Sequence, residues 1–213
     1  MLNIKTFCCN MLDENCYVVS DATGECVIID CGAFYQEELY AIAQYITDAQ
    51  LTPVHLLCTH AHLDHNFGTP FIQATYHLLP EYAEPDHGLM KHLPQQANTF
   101  YGLSLTEQYP LATHFLNEDE PVTFGTHTLQ VIATPGHSRG SVVFYCEEEH
   151  AAFTGDTLFR FSVGRTDLHG GSMLQLTQSL RQLAALPADT KVYPGHGPAS
   201  TIGDELNANP FMQ

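Results

Sequence analysis

Four short runs of this sequence each lead into a tight turn that carries a histidine or an aspartate. Runs of this kind predict buried strands, and turns at strand ends on a rigid sheet commonly hold functional groups. The pattern therefore predicts a layered fold that brings several strand ends together. The runs and the residues that follow them are Val54–Cys58 before His60, Thr128–Ala133 before His137, Ala151–Phe153 before Asp156 and Lys191–Tyr193 before His196.

The remaining patterns divide the chain into two β-rich halves, each with helices. Residues 71–115 favour helices joined by loops, and no repeat or linker separates the halves. We therefore predict one α/β (α+β) domain over residues 1–213, with sheets inside and helices outside. The other predicted elements are a hairpin of Tyr17–Val19 and Cys26–Asp30, helices Glu37–Ala49 and Met173–Leu186 (N-cap Ser172), and strands Val122–Phe124 and Ser141–Tyr145.

Composition excludes several classes of function. The formal net charge is −17, from 24 acidic and seven basic residues, which argues against binding to nucleic acid. No apolar run approaches the roughly 20 residues of a membrane helix, and the N-terminus lacks the apolar core of a signal peptide. We therefore expect a cytoplasmic protein with no membrane partner. The seven cysteines lie mostly in apolar runs and are interpreted as buried, unpaired side chains.

The segment His60-Ala61-His62-Leu63-Asp64-His65 places four possible metal ligands within six residues. A single histidine beside a strand is usually packed or solvated, but four polar side chains together at the edge of a core carry a large desolvation cost. A bound cation removes that cost, because neutral imidazole and carboxylate are good ligands for zinc, iron or manganese. The segment therefore predicts a metal site.

Three other turns supply further ligands, namely His137, Asp156 and His196, each in a tight turn that contains glycine. Together with the segment they make five histidines and two aspartates. Seven ligands are too many for one tetrahedral ion and suit two ions that share a carboxylate. The other eight histidines are expected at the surface or in the core, although His169 lies near Arg165 in a suspected substrate loop.

The ordered motifs resemble those of the metallo-β-lactamase superfamily. The motifs are His-x-His-x-Asp-His at 60–65, Thr-Pro-Gly-His at 134–137, Gly-Asp-Thr at 155–157 and Pro-Gly-His at 194–196. Within that superfamily the sequence is most similar to short, single-domain relatives of the glyoxalase II-type thioester hydrolases. The resemblance implies a four-layer αββα sandwich with two divalent metal ions at one edge, zinc first and iron or manganese as alternatives.

The resemblance also implies a role for each site residue. His60, His62 and His137 would hold the first ion, Asp64, His65 and His196 the second, and Asp156 would bridge them. Asp30 would support the ligands, and Asp64 would orient the attacking hydroxide between the ions. Arg165 would contact an anionic part of a small-molecule substrate, which could be a glutathione thioester. The sequence does not define the oligomeric state.

Two other interpretations stay open at this stage. The run Gly164-Arg165-Thr166-Asp167 is also similar to persulfide dioxygenases of the same superfamily, which use a single iron. The presence of Asp64, His65 and His196 favours a second metal position and hence hydrolysis. A metal-storage or sensing module with the same ligands is the non-enzymatic alternative, although structural zinc sites usually contain cysteine.

Overall fold

A computed structural model describes residues 1–213 of the chain. The first half contains, in chain order, β1 (Asn3–Cys9), β2 (Glu14–Ser20), β3 (Glu25–Ile29), α1 (Gln36–Asp48), β4 (Thr52–Leu57), α2 (Thr69–Tyr76), β5 (Pro80–Ala83), α3 (His87–Lys91), α4 (Leu93–Gln96) and β6 (Phe115–Leu116). Single helical turns lie at Leu63–His65, Glu84–Asp86 and Ala97–Tyr101, the last with π-helical bonding.

These strands form one six-stranded sheet in the order β1-β2-β3-β4-β5-β6. The first three are antiparallel neighbours, whereas β3, β4, β5 and β6 run parallel to one another. Every residue of β2 is buried, which requires that both faces of the sheet be covered. The predicted hairpin corresponds to β2 and β3.

The second half contains β7 (Val122–Phe124), β8 (His127–Ala133), β9 (Val142–Cys146), β10 (Ala151–Gly155), β11 (Leu158–Phe159), β12 (Ser162–Val163), α5 (Met173–Leu183), β13 (Lys191–Pro194), β14 (Ser200–Thr201) and α6 (Ile202–Ala208). Its six-stranded sheet has the order β14-β13-β10-β9-β8-β7, and β11 and β12 form a separate hairpin. Helix α5 begins as predicted, because the Ser172 hydroxyl accepts a hydrogen bond from the Gln175 amide at 3.3 Å.

The two sheets pack face to face over a shared apolar core. That core combines side chains of the first sheet, such as Val27 and Leu57, with side chains of the second, such as Phe144 and Phe153. Helices α1 and α2 cover the outer face of the first sheet, and α5 and α6 cover that of the second. The result is the expected four-layer αββα arrangement, held by apolar burial on three internal surfaces.

The cysteine interpretation is confirmed, since all seven thiols are unpaired and only Cys8 is exposed. None of the helices combines the length and apolar character needed to cross a bilayer. Residues 71–115 contain more than helices and loops, because β5 and β6 extend the first sheet there. That prediction was incomplete: Pro80–Ala83 and Phe115–Leu116 are too short to show a strand period.

Candidate metal centre

The seven predicted ligands converge at one edge of the two sheets. His60, His62, Asp64 and His65 follow β4, and each of His137, Asp156 and His196 occupies a turn at the end of a strand. Glycine is required in this packing: a Cβ at Gly195 would collide with the Asp156 carboxylate and with the His65 ring. The structure therefore brings together every residue that the turn pattern singled out.

His60, His62 and His137, hereafter the first triad, present ring nitrogens within 4.8 Å of one another. His62 Nδ1 lies 2.8 Å from His137 Nε2, and His60 Nε2 is buried without a hydrogen-bond partner. The Arg165 carbonyl accepts a hydrogen bond from His137 Nδ1 at 2.7 Å, which leaves the lone pair of Nε2 directed at the triad. Three converging imidazoles of this kind form one face of a metal site.

Asp64, His65 and His196, hereafter the second triad, converge in the same way. The Asp64 Oδ2 atom lies 3.4 Å from His196 Nε2 and 3.9 Å from His65 Nε2, and the two ring nitrogens are 3.2 Å apart. Asp64 is 8% exposed, so its carboxylate faces the cavity rather than bulk solvent.

Asp156 lies between the triads and directs one oxygen at each. Its Oδ2 is 3.4 Å from His137 Nε2, whereas Oδ1 is 3.2 Å from His65 Nε2 and 3.7 Å from His196 Nε2. Oδ1 is buried and has no hydrogen-bond partner. A carboxylate placed in this way can bridge two cations, one at each triad.

The protonation states of His60 and His62 suit cation binding. Burial lowers the pKa of His60 well below its ordinary value and that of His62 to about 4, so both rings are neutral ligands at pH 7. Burial also disfavours the charged form of His65, but the carboxylates of Asp156 and Asp30 outweigh it and raise the pKa of His65. Without another cation, a proton on His65 balances the carboxylates around it.

The centre needs positive charge that no permanent cation of the chain supplies. Asp30, Asp64 and Asp156 all have histidine as their ion-pair partner, and the only side-chain ion pair of a lysine or arginine joins exposed Arg165 to Asp167. Buried carboxylates are costly unless they are paired or bind a metal. The orphaned nitrogen of His60 and oxygen of Asp156 therefore fit divalent cations at the two triads.

Asp30 supports the second triad, as the sequence predicted. Its Oδ2 accepts hydrogen bonds from His65 Nδ1 at 3.0 Å and from the Thr59 hydroxyl at 2.7 Å, while Oδ1 accepts from the Thr59 amide at 2.7 Å. This contact fixes the orientation of the His65 ring and leaves Nε2 for the site.

Two buried side chains that sequence reasoning missed also hold the ligand turns. Asp86 Oδ2 accepts from the Ala61 amide at 3.0 Å and the Ser138 hydroxyl at 2.7 Å, and Oδ1 accepts from the Gly140 amide at 2.7 Å. Gln96 donates to the Ala61 carbonyl at 3.1 Å and accepts from the Leu63 amide at 3.0 Å. Neither residue belongs to a motif, so no local signal identified them.

The turn after β1 and the first residues of β2 support the opposite side of the centre. Asn10 donates to the Asp64 carbonyl at 2.8 Å, and Asn15 donates to the carbonyls of Pro194 and Gly197 at 3.0 and 2.8 Å. Glu14 is fully buried behind His65, and burial raises its pKa well above the ordinary value, so the side chain is uncharged there. Its two oxygens have no hydrogen-bond partner.

A cavity of about 550 Å³ opens above both triads. Its apolar wall consists of Leu12, Phe100, Phe159 and Leu168, and its polar lining includes Gln96, Tyr101 and Arg165. Arg165 lines the cavity, and its guanidinium is held by Asp167 through two hydrogen bonds of 2.7 Å. Burial and the neighbouring Asp64 carboxylate raise the pKa of Tyr101, which keeps its hydroxyl protonated.

Comparison with known families agrees with this geometry. Residues 10–196 match the family model of the metallo-beta-lactamase superfamily. The chain belongs to this superfamily, whose members include metal-dependent hydrolases, and the predicted membership is confirmed. Membership and the histidine clusters together support a divalent metal site.

Individual proteins resemble the chain along nearly its whole length. The hydroxyacylglutathione hydrolase GloC of Haemophilus influenzae is 33% identical, with 99% of this chain and 98% of GloC covered. A crystal structure of TTHA1623 in a di-iron-bound form is 38% identical with a TM-score of 0.86, covering 97% of this chain and 99% of that one. The BLEG-1 B3 metallo-beta-lactamase is 34% identical with a TM-score of 0.90, covering 99% of this chain and 100% of that one.

Proposed function

We propose that this protein hydrolyses thioesters of a small thiol, with a glutathione thioester as the first substrate to test. The observation that carries the proposal is the pair of triads, with Asp156 between them, on the floor of one cavity. The similarity to GloC supports the thioester class, because that relative is named for hydrolysis of hydroxyacylglutathione.

In this proposal the first triad would hold one divalent ion, the second triad would hold another, and Asp156 would be a ligand shared by the two. Zinc is the first choice, while the di-iron form of TTHA1623 keeps iron in consideration and manganese is also tested. Divalent ions lower the pKa of bound water from about 15.7 towards about 7 and polarise a carbonyl oxygen.

Side chains around the cavity would orient the water, accept its proton, exclude bulk solvent and bind the substrate. Asp64 lies at the cavity floor, where its carboxylate can orient the attacking water and accept its proton. The apolar side chains of Leu12 and Phe159 exclude bulk water above the second triad. Hydrolysis breaks the C–S bond, and because a thiolate is a stable leaving group, no strong general acid is needed. Arg165 would contact an anionic group of the thiol after releasing Asp167.

The test combines metal analysis with a thioester hydrolysis assay. We expect two divalent ions per chain and turnover of a glutathione thioester. Asp64→Asn should lower kcat at least about 100-fold while the first triad still binds metal, since a positioned base contributes about 10² to 10⁴. The control Asp48→Asn changes an exposed helix carboxylate and should retain full activity.

Two results would overturn the proposal. A single iron per chain with oxygen uptake on a glutathione persulfide would assign the protein to sulfur oxidation instead. Full metal loading without turnover of any thioester, lactone or phosphoester would favour a metal-binding module.

A further inference from the structure

The cavity above the metal centre continues as a groove along residues 168–170. It shares His62, Gln96, Phe100 and Leu168 with a neighbouring space of about 180 Å³. That space shares Leu89, His92 and His169 with a third space of about 330 Å³, which ends at Arg139. Three adjoining spaces, which share these side chains as walls, therefore lie between the first triad and Arg139 and are together called the groove.

The far end of the groove offers a cation without an acceptor. Arg139 makes no ion pair, although the chain contains 24 acidic residues, and the only ion pair of an arginine is that of Arg165 with Asp167. The one acidic residue that lines this end is Asp86. Its oxygens accept hydrogen bonds from backbone amides and the Ser138 hydroxyl, and they form no ion pair with Arg139.

Arg139 is exposed, and its side chain packs against a glycine at this end. The Arg139 side chain lies over Gly170, where a Cβ would be 3.3 Å from Cγ and 3.7 Å from Nε of the arginine. Gly170 also has a φ of +90°. Both this backbone conformation and the close approach of the Arg139 side chain favour glycine at position 170. The imidazoles of His92 and His169 flank the same space, and His92 Nδ1 is fixed to the Gly88 carbonyl at 2.6 Å.

The middle of the groove presents three apolar side chains, Leu89, Phe100 and Leu168, between the metal centre and Arg139, and the rest of its lining is polar. From the metal centre outwards, the groove thus offers the metals, then apolar side chains, then the Arg139 cation. A matching ligand has a carbonyl at the metals, a methylene chain beside the apolar side chains and a terminal carboxylate at Arg139. Arginine binds carboxylates through paired N–H groups, which makes it the expected partner for that terminus.

We propose that the groove binds the acyl part of the substrate and that Arg139 binds a distal carboxylate, so that the preferred substrates are monothioesters of dicarboxylic acids. The inference rests on the thioester hydrolysis proposed above, which would place the thiol on the side of Arg165. Addition of water across the C–S bond releases the dicarboxylate and the thiol, so the step needs no oxidant or reductant.

The kinetic test compares glutaryl and pentanoyl thioesters of glutathione, which have the same chain length and differ in the terminal carboxylate. For the wild-type holoenzyme we expect kcat/KM to be about 10-fold higher for the glutaryl thioester. Arg139→Met should remove this preference through KM, with kcat changed by less than about 2-fold. The matched control Arg181→Met alters an exposed arginine of α5 and should keep the preference.

A binding experiment separates this inference from the proposed reaction. Calorimetric titration of the holoenzyme with glutarate should show affinity that falls about 10-fold in Arg139→Met and stays unchanged in Arg181→Met. This result would support the carboxylate site even if no thioester were cleaved. Equal glutarate affinity in wild type and Arg139→Met, or an unchanged glutaryl preference in that variant, would overturn the inference.

Discussion

Asp86 is a buried residue that joins the two turns of the first triad. It accepts three hydrogen bonds, one from the turn of His60 and His62 and two from the turn of His137. Burial raises its pKa, while the bonds from Ser138, Gly140 and Ala61 act against that shift. The side chain thus joins two turns that lie far apart in sequence.

We predict that Asp86→Asn lowers the free energy of unfolding by about 2–3 kcal/mol, because an amide group would face backbone donors that the carboxylate satisfies. Metal affinity at the first triad should fall about 10- to 100-fold, as for other residues that orient metal ligands. Urea unfolding and competition with a coloured chelator measure the two effects. Ser138→Ala, which removes one of the three bonds, should give a smaller loss, and exposed Asp119→Asn should give none.

The convergence of the two triads and Asp156 was predictable from sequence for a physical reason. Each ligand occupies a turn immediately after a strand, and local sequence specifies both the strand and the turn. Asp86 and Gln96 were not predictable, because their partners lie 25 to 54 residues away and nothing near them in sequence marks the contact. Asn10 and Asn15 were missed for the same reason, as their acceptors belong to distant turns.

At the scale of elements, Asp21 connects the two sheets at the end opposite the metal centre. It lies in the turn between β2 and β3, where Oδ1 accepts from the Thr23 amide at 2.9 Å. Oδ2 accepts from the Thr126 amide at 2.8 Å and from His127 Nδ1 at 3.0 Å, both next to the turn between β7 and β8. The hydrogen bonds from Thr23 and Thr126 hold the pKa of Asp21 well below its ordinary value.

Because the pKa of Asp21 is lowered on folding, its stabilising contribution is complete above about pH 4 and is lost as the pH falls further. We predict that Asp21→Asn lowers the free energy of unfolding by about 2–3 kcal/mol at pH 7. The difference between variant and wild type should shrink by about 1 kcal/mol at pH 3.

Urea unfolding at the two pH values, with chelator present in both, measures this difference. The exposed control Asp48→Asn should stay within about 0.5 kcal/mol of wild type throughout. A cost for Asp21→Asn that is the same at pH 3 as at pH 7 would contradict the assignment to an ionised carboxylate.

The two longest helices were predicted closely, because a long amphipathic pattern is specified by its own residues, whereas the seven-residue strand β1 was not predicted. The structure places α1 at Gln36–Asp48 and α5 at Met173–Leu183, within a few residues of the predictions. The two-residue strands β6 and β14 were not predicted, since pairing to a neighbouring strand rather than local sequence creates them. The order of strands within each sheet likewise depends on long-range pairing.

At the scale of the whole molecule, the layered core and the metal centre are separate contributions to stability. The cores between and outside the sheets consist of apolar side chains that need no ion. The metal centre instead joins turns from both sheets through charged and polar groups, in a chain of net charge −17. Divalent cations would reduce the repulsion between Asp30, Asp64 and Asp156 and hold the two sheet edges together.

Removal of metal should therefore lower the melting temperature while leaving the secondary structure intact. At ion concentrations about 1,000 times Kd, binding stabilises the folded state by about 4 kcal/mol, which corresponds to roughly 10 °C for a chain of this size. Differential scanning fluorimetry of chelated protein, before and after addition of Zn²⁺, Fe²⁺ or Mn²⁺, measures the shift. Asp156→Ala should abolish most of this metal-dependent shift, and the control Asp119→Asn should leave it unchanged. Identical melting temperatures for chelated and reloaded wild-type protein would show that the triads bind no ion.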